Sequence, residues 1–470
     1  MAYAVLDISV FKFCNRNVTR TVCYSVCSCN VNLFRSFVYR LMNHIEPPRR
    51  LVHFDNIPDE LVLEIFKWIP FDDLTSRAKL VCRRWNKIAA TASLHPDILV
   101  ISRQSNPKKI HHMLSKYGDN LSTIKFQDIY ESRIIASLNS RHWSNLRTLS
   151  INWKHHVLDG VRISVSYLNW VIDRSPRLIA IELRECFIHG DINILMEKLQ
   201  SRRISELTFM NTYLVVNGIE KLFGLRDMTK FQVCCYPLGD FSSTICTFCL
   251  NNRHSLTSLA LRIDNRSTES DDLIDAITSC ARLRKLHLIG RFSLSRAELL
   301  KVSQLANLKC LKIEVHRINT DEFAEFLSQP FTRQLSSLAV HWSRPVLKKE
   351  LTNVIHCRNL NKLTLMFSNN FNDTEMIPRV VIQLVKGLKL KKLKIISNFV
   401  LMNFLPEICY QSEDLFCIKL IHSYEAKDLK YFRNKMNDIC NFYDCKYAIY
   451  KSELEITLRK KINTQVEYVF

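Results

Sequence analysis

The residue types able to do chemistry in this chain are chiefly its 17 cysteines and 15 histidines. Cys246-x-x-Cys249 with His254 nearby has the donors of a soft-metal site. The stretch from Phe241 to Asn251 reads as a helix, however, placing the two thiols at i, i+3, where buried structural cysteines are far commoner. Cys23-x-x-x-Cys27-x-Cys29 has zinc-ligand types without a fitting fourth ligand close by. His111-His112 and His155-His156 are adjacent pairs whose rings point apart on a helix or a strand, with no carboxylate or cysteine at ligand spacing. No G-x-S-x-G, phosphate-loop or His-Glu-x-x-His pattern occurs, and 8 glycines are few for a phosphate cradle. These residues predict a non-catalytic protein with no metal and no cofactor.

The other cysteines sit singly at apolar positions such as Cys280, Cys310 and Cys357 rather than in a dense disulfide framework. That spacing predicts a reducing compartment, cytoplasmic or nuclear. No apolar run reaches the roughly 18 to 20 residues of a membrane span. The net charge of +21 is uneven: residues 1–50 carry +5, residues 51–100 carry −1, and the remainder carries +17. In residues 1–50, Asp7 and Lys12 interrupt any signal-like core and no amphipathic stripe marks a transit peptide. This part reads as a poorly ordered leader, with Pro47-Pro48 as a linker.

The elements that must position a function begin at Phe54 and run to about His95. Pro58 suits a helix start, and Asp59 and Glu60 follow in the first turn, where carboxylates complement the helix dipole. Leu61, Ile65 and Ile69 recur at i, i+4, i+8, with Val62 and Phe66 beside them, and Pro70 ends the run. Asp72 caps a brief second helix through Leu74. Leu80, Val81, Trp85 and Ile88 mark a third, with Lys79, Arg83, Arg84 and Lys87 on its other face. Some 40 residues rarely bury enough surface to stand alone, so this apolar element must dock on something.

Ile57-Pro58-x-Glu60-Leu61-Val62-x-x-Ile65-Phe66-x-x-Ile69, then Asp73-Leu74, then Leu80-Val81-Cys82-Arg83-x-Trp85-x-x-Ile88-Ala89, resembles an F-box. The resemblance implies a three-helix module that binds a Skp-type adaptor and, through it, a cullin ubiquitin ligase. It also implies that Ile57, Pro58, Leu61, Ile65, Val81 and Trp85 hold the adaptor.

From Leu121 the sequence repeats. The template L-x-x-L-x-L, with other aliphatics or Phe allowed, begins at Leu121, Leu146, Leu178, Ile204, Met228, Leu256, Leu283, Leu308, Leu335, Leu360, Leu390 and Leu415, about 27 residues apart, within the 20 to 29 residue period of leucine-rich repeats. Helical patterns such as Asp272–Ile277 and Glu322–Leu327 lie between the templates. The sequence resembles the leucine-rich solenoid that many F-box proteins carry, although only Cys186 and Asn398 supply the Asn or Cys of the position after each strand. His316, Ser343 and Ser368 replace it, which predicts irregular turns. The expected fold class is therefore α/β: an N-terminal three-helix F-box, then a curved leucine-rich-repeat solenoid with parallel strands on the concave face and helices on the convex face. Its parts are a leader at 1–50, the F-box at 51–97, a connecting helical segment at 98–120, about 12 repeats at 121–428 and a C-terminal cap at 429–470.

In each repeat the second and third template aliphatics, for instance Leu286 and Leu288, point into the core and their neighbours onto the concave face. Three such positions per repeat make 36, of which ten are basic and only Glu182, Glu206 and Glu314 acidic. The enrichment is strongest from Arg262 onward, through Lys285, Lys312, Lys362, Lys392, Lys394 and Lys419. One reading is that these lysines keep exposed strands soluble and blunt pairing at edges. Another is a basic trough that receives an acidic or phosphorylated protein client. A nucleic-acid partner is disfavoured because the concave positions hold no Phe, Tyr or Trp for base stacking. The expected function is the substrate-recognition subunit of a Skp-cullin-F-box ubiquitin ligase, against an F-box scaffold that delivers no substrate or a basic nucleic-acid-binding solenoid.

Overall fold

The computed structural model describes residues 57–66, 80–89, 98–102, 110–111, 114–115, 118–127, 142–152, 162–215, 219–236, 242–263, 271–318, 320–342, 348–367, 376–396, 404–411, 415, 417–423, 443–450 and 453–460. The chain divides into two compact units, Met1–Asp97 with Ile462–Phe470, and Ile98–Lys461. The expected leader, the brief helix at Asp72–Leu74 and the first part of the expected cap lie outside the described residues.

In the first unit, α1 spans Asp59–Phe66 and α2 spans Arg83–Ala89. The Pro58 carbonyl accepts from the Leu61 and Val62 amides, each at 3.1 Å, which starts α1. The second helix begins three residues later than its apolar pattern predicts. The Cys82 carbonyl accepts from Asn86 N at 3.0 Å and its thiol receives Trp85 N at 3.4 Å, so the helix is set up from Cys82 and leaves Leu80 and Val81 ahead of it.

The second unit holds strands β1 (Ile98–Ser102), β2 (Thr123–Gln127), β3 (Thr148–Asn152), β4 (Arg162–Ser164), β5 (Ala180–Arg184), β6 (Phe187–His189), β7 (Glu206–Val215), β8 (Lys230–Tyr236), β9 (Ser258–Ile263), β10 (Lys285–Leu294), β11 (Cys310–Ile318), β12 (Ser337–Trp342), β13 (Lys362–Phe367), β14 (Lys392–Ile396), β15 (Cys417–Ser423), β16 (Tyr443–Tyr450) and β17 (Glu453–Lys460). Between them lie α3 (Val165–Arg174), α4 (Ile192–Ser201), α5 (Ser242–Asn252), α6 (Asp271–Thr278), α7 (Arg296–Val302), α8 (Thr320–Ser328), α9 (Lys348–Asn353), α10 (Met376–Gly387) and α11 (Leu405–Tyr410). Strands β1, β2, β3, β5 and β7, then β8 through β15, pair in parallel in that order. A mixed α/β unit with so long a parallel sheet fits a repeat solenoid.

From β2 onward, every strand of this ladder opens two residues after a template start, as with Thr123 after Leu121 and Cys417 after Leu415. Leu286 and Leu288 are buried, as are Leu273, Ile274 and Ile277 on the inner side of α6. Ser164, Asp191 and Ser295 cap α3, α4 and α7 through their side-chain oxygens, the last in a full capping box with Glu298.

One boundary is corrected. The segment 98–120, expected to be a helical connection, opens with β1, which continues the sheet from Ile98↔Thr123 to Ser102↔Gln127. Its Ile-Leu-Val-Ile run is rich in β-branched residues and buries alternate side chains, Leu99 and Ile101, as a strand does.

Side chains tie successive repeats together where the turns depart from the familiar pattern. Cys186 is buried, with its thiol 3.1 Å from the Arg184 carbonyl. At the equivalent place one repeat on, the Thr212 hydroxyl is shared between the Leu183 and Met210 carbonyls, at 3.3 and 3.2 Å. Asn145, Asn307 and Asn359, each just before a template start, donate to Asp119, Ala281 and Arg333 carbonyls of the preceding repeat. Left-handed backbone at Glu185 and Asn211 offsets a short parallel side ladder, β4 with β6 and β6 with the end of β7. At the other end, β17 runs antiparallel to β15 and β16 antiparallel to β17, so the edge of β15 is paired.

Candidate functional site

On the sheet face opposite the buried aliphatics, strand residues line up in rows. One row reads Lys285, Cys310, Ser337, Lys362, Lys392, Cys417, and the next His287, Lys312, Ala339, Thr364, Lys394, Lys419. All seven cationic residues singled out from the sequence lie on this face, but the structure sorts them into two groups. Arg262, Lys285 and Lys312 sit on β9 to β11. Lys362, Lys392, Lys394 and Lys419 sit on β13 to β15. Strand β12 contributes Ser337, Ala339 and His341 between them.

The first group has acids close at hand. Lys312 Nζ forms an ion pair with Glu314, whose side chain is mostly buried. Burial alone would raise the Glu314 pKa, but the Lys312 ammonium beside it holds the carboxyl below the usual carboxylate range. At 3.9 Å His287 Nε2 is too far from Glu314 to donate a hydrogen bond, so Lys312 is the contact partner. Burial pushes His287 and His341 below the ordinary histidine range, more than the nearby Glu314 raises them, so both rings are uncharged at neutral pH. Further along the sheet Arg184 Nε lies 2.5 Å from Glu182 Oε1 and the Ser150 hydroxyl lies 3.1 Å from Oε2. Burial of Glu182 is outweighed by Arg184, Lys230 and Ser150, and its pKa falls below the usual carboxylate range.

The second group is built differently. Lys362 stands directly opposite Lys392, and Lys394 directly opposite Lys419. Like charges in register destabilise a sheet. Edge protection does not account for them, because β13 and β14 are paired on both sides and β15 is covered by β17.

At the N-terminal element, Val62, Phe66 and Ile88 form a buried centre with Ile57, Leu63, Trp85 and Ala89 packed around it. Phe66 and Trp85 meet edge to face with centroids 5.0 Å apart. The Arg84 guanidinium crosses from α2 to lie 2.6 Å from Asp59 Oδ1 and also bonds the Ile57 carbonyl, which fixes the start of α1 against α2. Outside this small core, Leu80 is 75% and Val81 44% exposed. Residues 54–99 match the F-box-like family model. This chain therefore carries an F-box-like domain, a module that typically binds a Skp-type adaptor and so a cullin.

The F-box-like domain does not present its six singled-out residues alike. Pro58 and Val81 are exposed and Leu61 is partly exposed, whereas Ile57 and Trp85 turn inward onto Phe66 and its neighbours. The Ile65 side chain lies outside the described residues. The apolar pattern could not separate these roles, since a residue covering the domain's own core and one awaiting a partner are equally apolar. Leu80, the most exposed large apolar residue here, was expected on the third helix; it lies in a 3-10 turn ahead of α2, from which the Cys82 turn separates it. Cys249 is buried on α5 and Cys246 half-buried. Among the described residues no group of three or more His, Cys, Asp or Glu is placed to hold a metal, and no helix is long and apolar enough to cross a membrane.

Proposed function

We propose that this chain is the non-catalytic substrate-recognition subunit of a Skp-cullin-F-box ubiquitin ligase, with the F-box-like domain as the adaptor-binding end and the leucine-rich solenoid as the client-binding arm. The observation that carries this reading is the F-box-like match at 54–99, ahead of a long parallel sheet whose open face carries clustered charge. Leu80 and Val81, with Pro58 and Leu61, supply the apolar surface that an adaptor would cover, and removing such area from water favours association at about 25 cal/mol per Å². Chemistry would reside in the partner conjugating enzyme. The solenoid's part is to hold a client close to it, raising the effective concentration of the client's lysines. Cytoplasm or nucleus is the expected location.

The test is co-purification from cells. Wild-type chain should recover adaptor and cullin, and Leu80→Asp with Val81→Asp should lose both without changing the melting of the solenoid, because both side chains already face solvent. Equal recovery by the two proteins would refute the assignment.

A further inference from the structure

The apolar surface available to an adaptor comes from two segments far apart in the chain: Pro58 and Leu61 at the start of α1, and Leu80 and Val81 ahead of α2. Helices of eight and seven residues are too short to hold such segments at a fixed spacing by themselves. The buried centre of Val62, Phe66 and Ile88 brings α1 and α2 together, but apolar packing is non-directional and does not orient the Ile57–Asp59 backbone. Arg84 does. From the first turn of α2 its Nε donates to Asp59 Oδ1 at 2.6 Å and its Nη2 donates to the Ile57 carbonyl, so one guanidinium brackets Pro58 on both sides. Arg84 fills the unspecified position of the Val-Cys-Arg-x-Trp run, whereas Arg83 beside it is exposed to solvent. Asp59 is 62% exposed, so as an ion pair the contact adds little stability. Its consequence is geometric.

We propose that Arg84 is a positioning residue for adaptor binding: by holding the Ile57 carbonyl and the Asp59 carboxylate together, it sets Pro58 and Leu61 at a fixed offset from Leu80 and Val81, so that the two segments present one surface. A surface already in its bound geometry loses less conformational freedom on association, which raises affinity without Arg84 itself touching the partner. The planar fork is what this role requires. Nε and Nη2 donate in one plane and meet two acceptors on either side of a single residue, whereas a lysine ammonium is a point charge on a flexible stem and fixes no plane. This role rests on the adaptor-binding reading of the F-box-like domain and deepens it, because it separates the residue that shapes the surface from the residues that form it.

The experiment titrates the purified full chain with a purified Skp-type adaptor by calorimetry and follows limited proteolysis within 57–89 on the same samples. Arg84→Gln should weaken binding about fivefold or more, and Arg84→Lys should stay at least about threefold weaker than wild type. Arg83→Gln, which removes an exposed charge one residue away, should bind within about twofold. In a Leu61→Ala background, which lacks one of the positioned side chains, Arg84→Gln should cost no more than about twofold further, because a positioning residue acts through the surface it sets. Proteolysis of Arg84→Gln should keep the wild-type rate, since Phe66 and Trp85 remain packed edge to face. Unchanged binding by Arg84→Gln, full binding by Arg84→Lys, equal loss from Arg83→Gln, the same loss in both backgrounds, or faster proteolysis accompanying the loss would overturn the proposal and leave the receptor reading standing. A wild-type chain that binds no adaptor would overturn both.

Discussion

Glu314 offers the sharpest test of how the open face is held together. Glu314→Gln keeps the side chain's shape and removes its charge. Each tenfold change in proton affinity is worth about 1.4 kcal/mol, and with His287 uncharged and out of hydrogen-bond range the Lys312 ion pair holds the carboxyl down, which favours the folded, ionised form by about 1 to 2 kcal/mol. The Glu314 side chain is 18% exposed but that of Lys312 is 37% exposed, so solvent screening keeps the contribution at the lower end of this range. Because the folded-state value is depressed, the contribution is fully present above about pH 4.5 and drains away as pH falls below it. Urea unfolding followed by tryptophan fluorescence, with Trp342 on the neighbouring strand β12, reads this difference directly. Wild type should exceed the variant by about 1 to 2 kcal/mol near neutrality, and the gap should narrow steadily below about pH 4.5. Equal stability near neutrality, or a gap that stays constant down to about pH 3, would refute the reasoning.

Trp85→Ala should loosen the F-box-like domain by about 3 kcal/mol, since Phe66 loses its edge-to-face partner, and limited proteolysis should then cut within 57–89 faster. Asn252→Ala should cost about 3 kcal/mol in urea unfolding, because the amide bonds the Leu225 and Phe248 carbonyls and accepts from Met228 N, all buried; Asn307→Ala, which loses one exposed bond to Ala281, should cost under about 1 kcal/mol. Gly290→Ala should lower the unfolding free energy in urea more than either, by over about 3 kcal/mol, since its φ is +143° and an added Cβ would lie 1.7 Å from the Ile263 carbonyl oxygen.

Much of the sheet is readable from the chain because its grammar is local. A strand alternates with period two, and the repeated Leu template fixes both where each strand starts and which residues face inward, so Lys392, Lys394 and Leu393 could be assigned to their faces from spacing alone. Strand β1 escaped that reading because its Pro96-Asp97-Ile98 entry lacks the opening leucine. The short side ladder escaped because it depends on left-handed residues, Glu185 and Asn211, at which no glycine marks the bend. In the F-box-like domain the order of residues was informative, but the inward turn of Ile57 and Trp85 was not, since it depends on how α1 and α2 meet.

By itself, then, the sequence determined the phase of the repeats, the F-box-like element, and the face of the sheet that each lysine occupies. Tertiary structure alone decided which charges meet across strands: His287 of β10 comes beside Glu314 of β11, and Lys362 stands opposite Lys392 across a gap of 30 residues in the chain. The physical reason is range: alternation is set within a few residues, but electrostatic neighbours are set by register between strands whose separation in sequence carries no signal of which charge will face which.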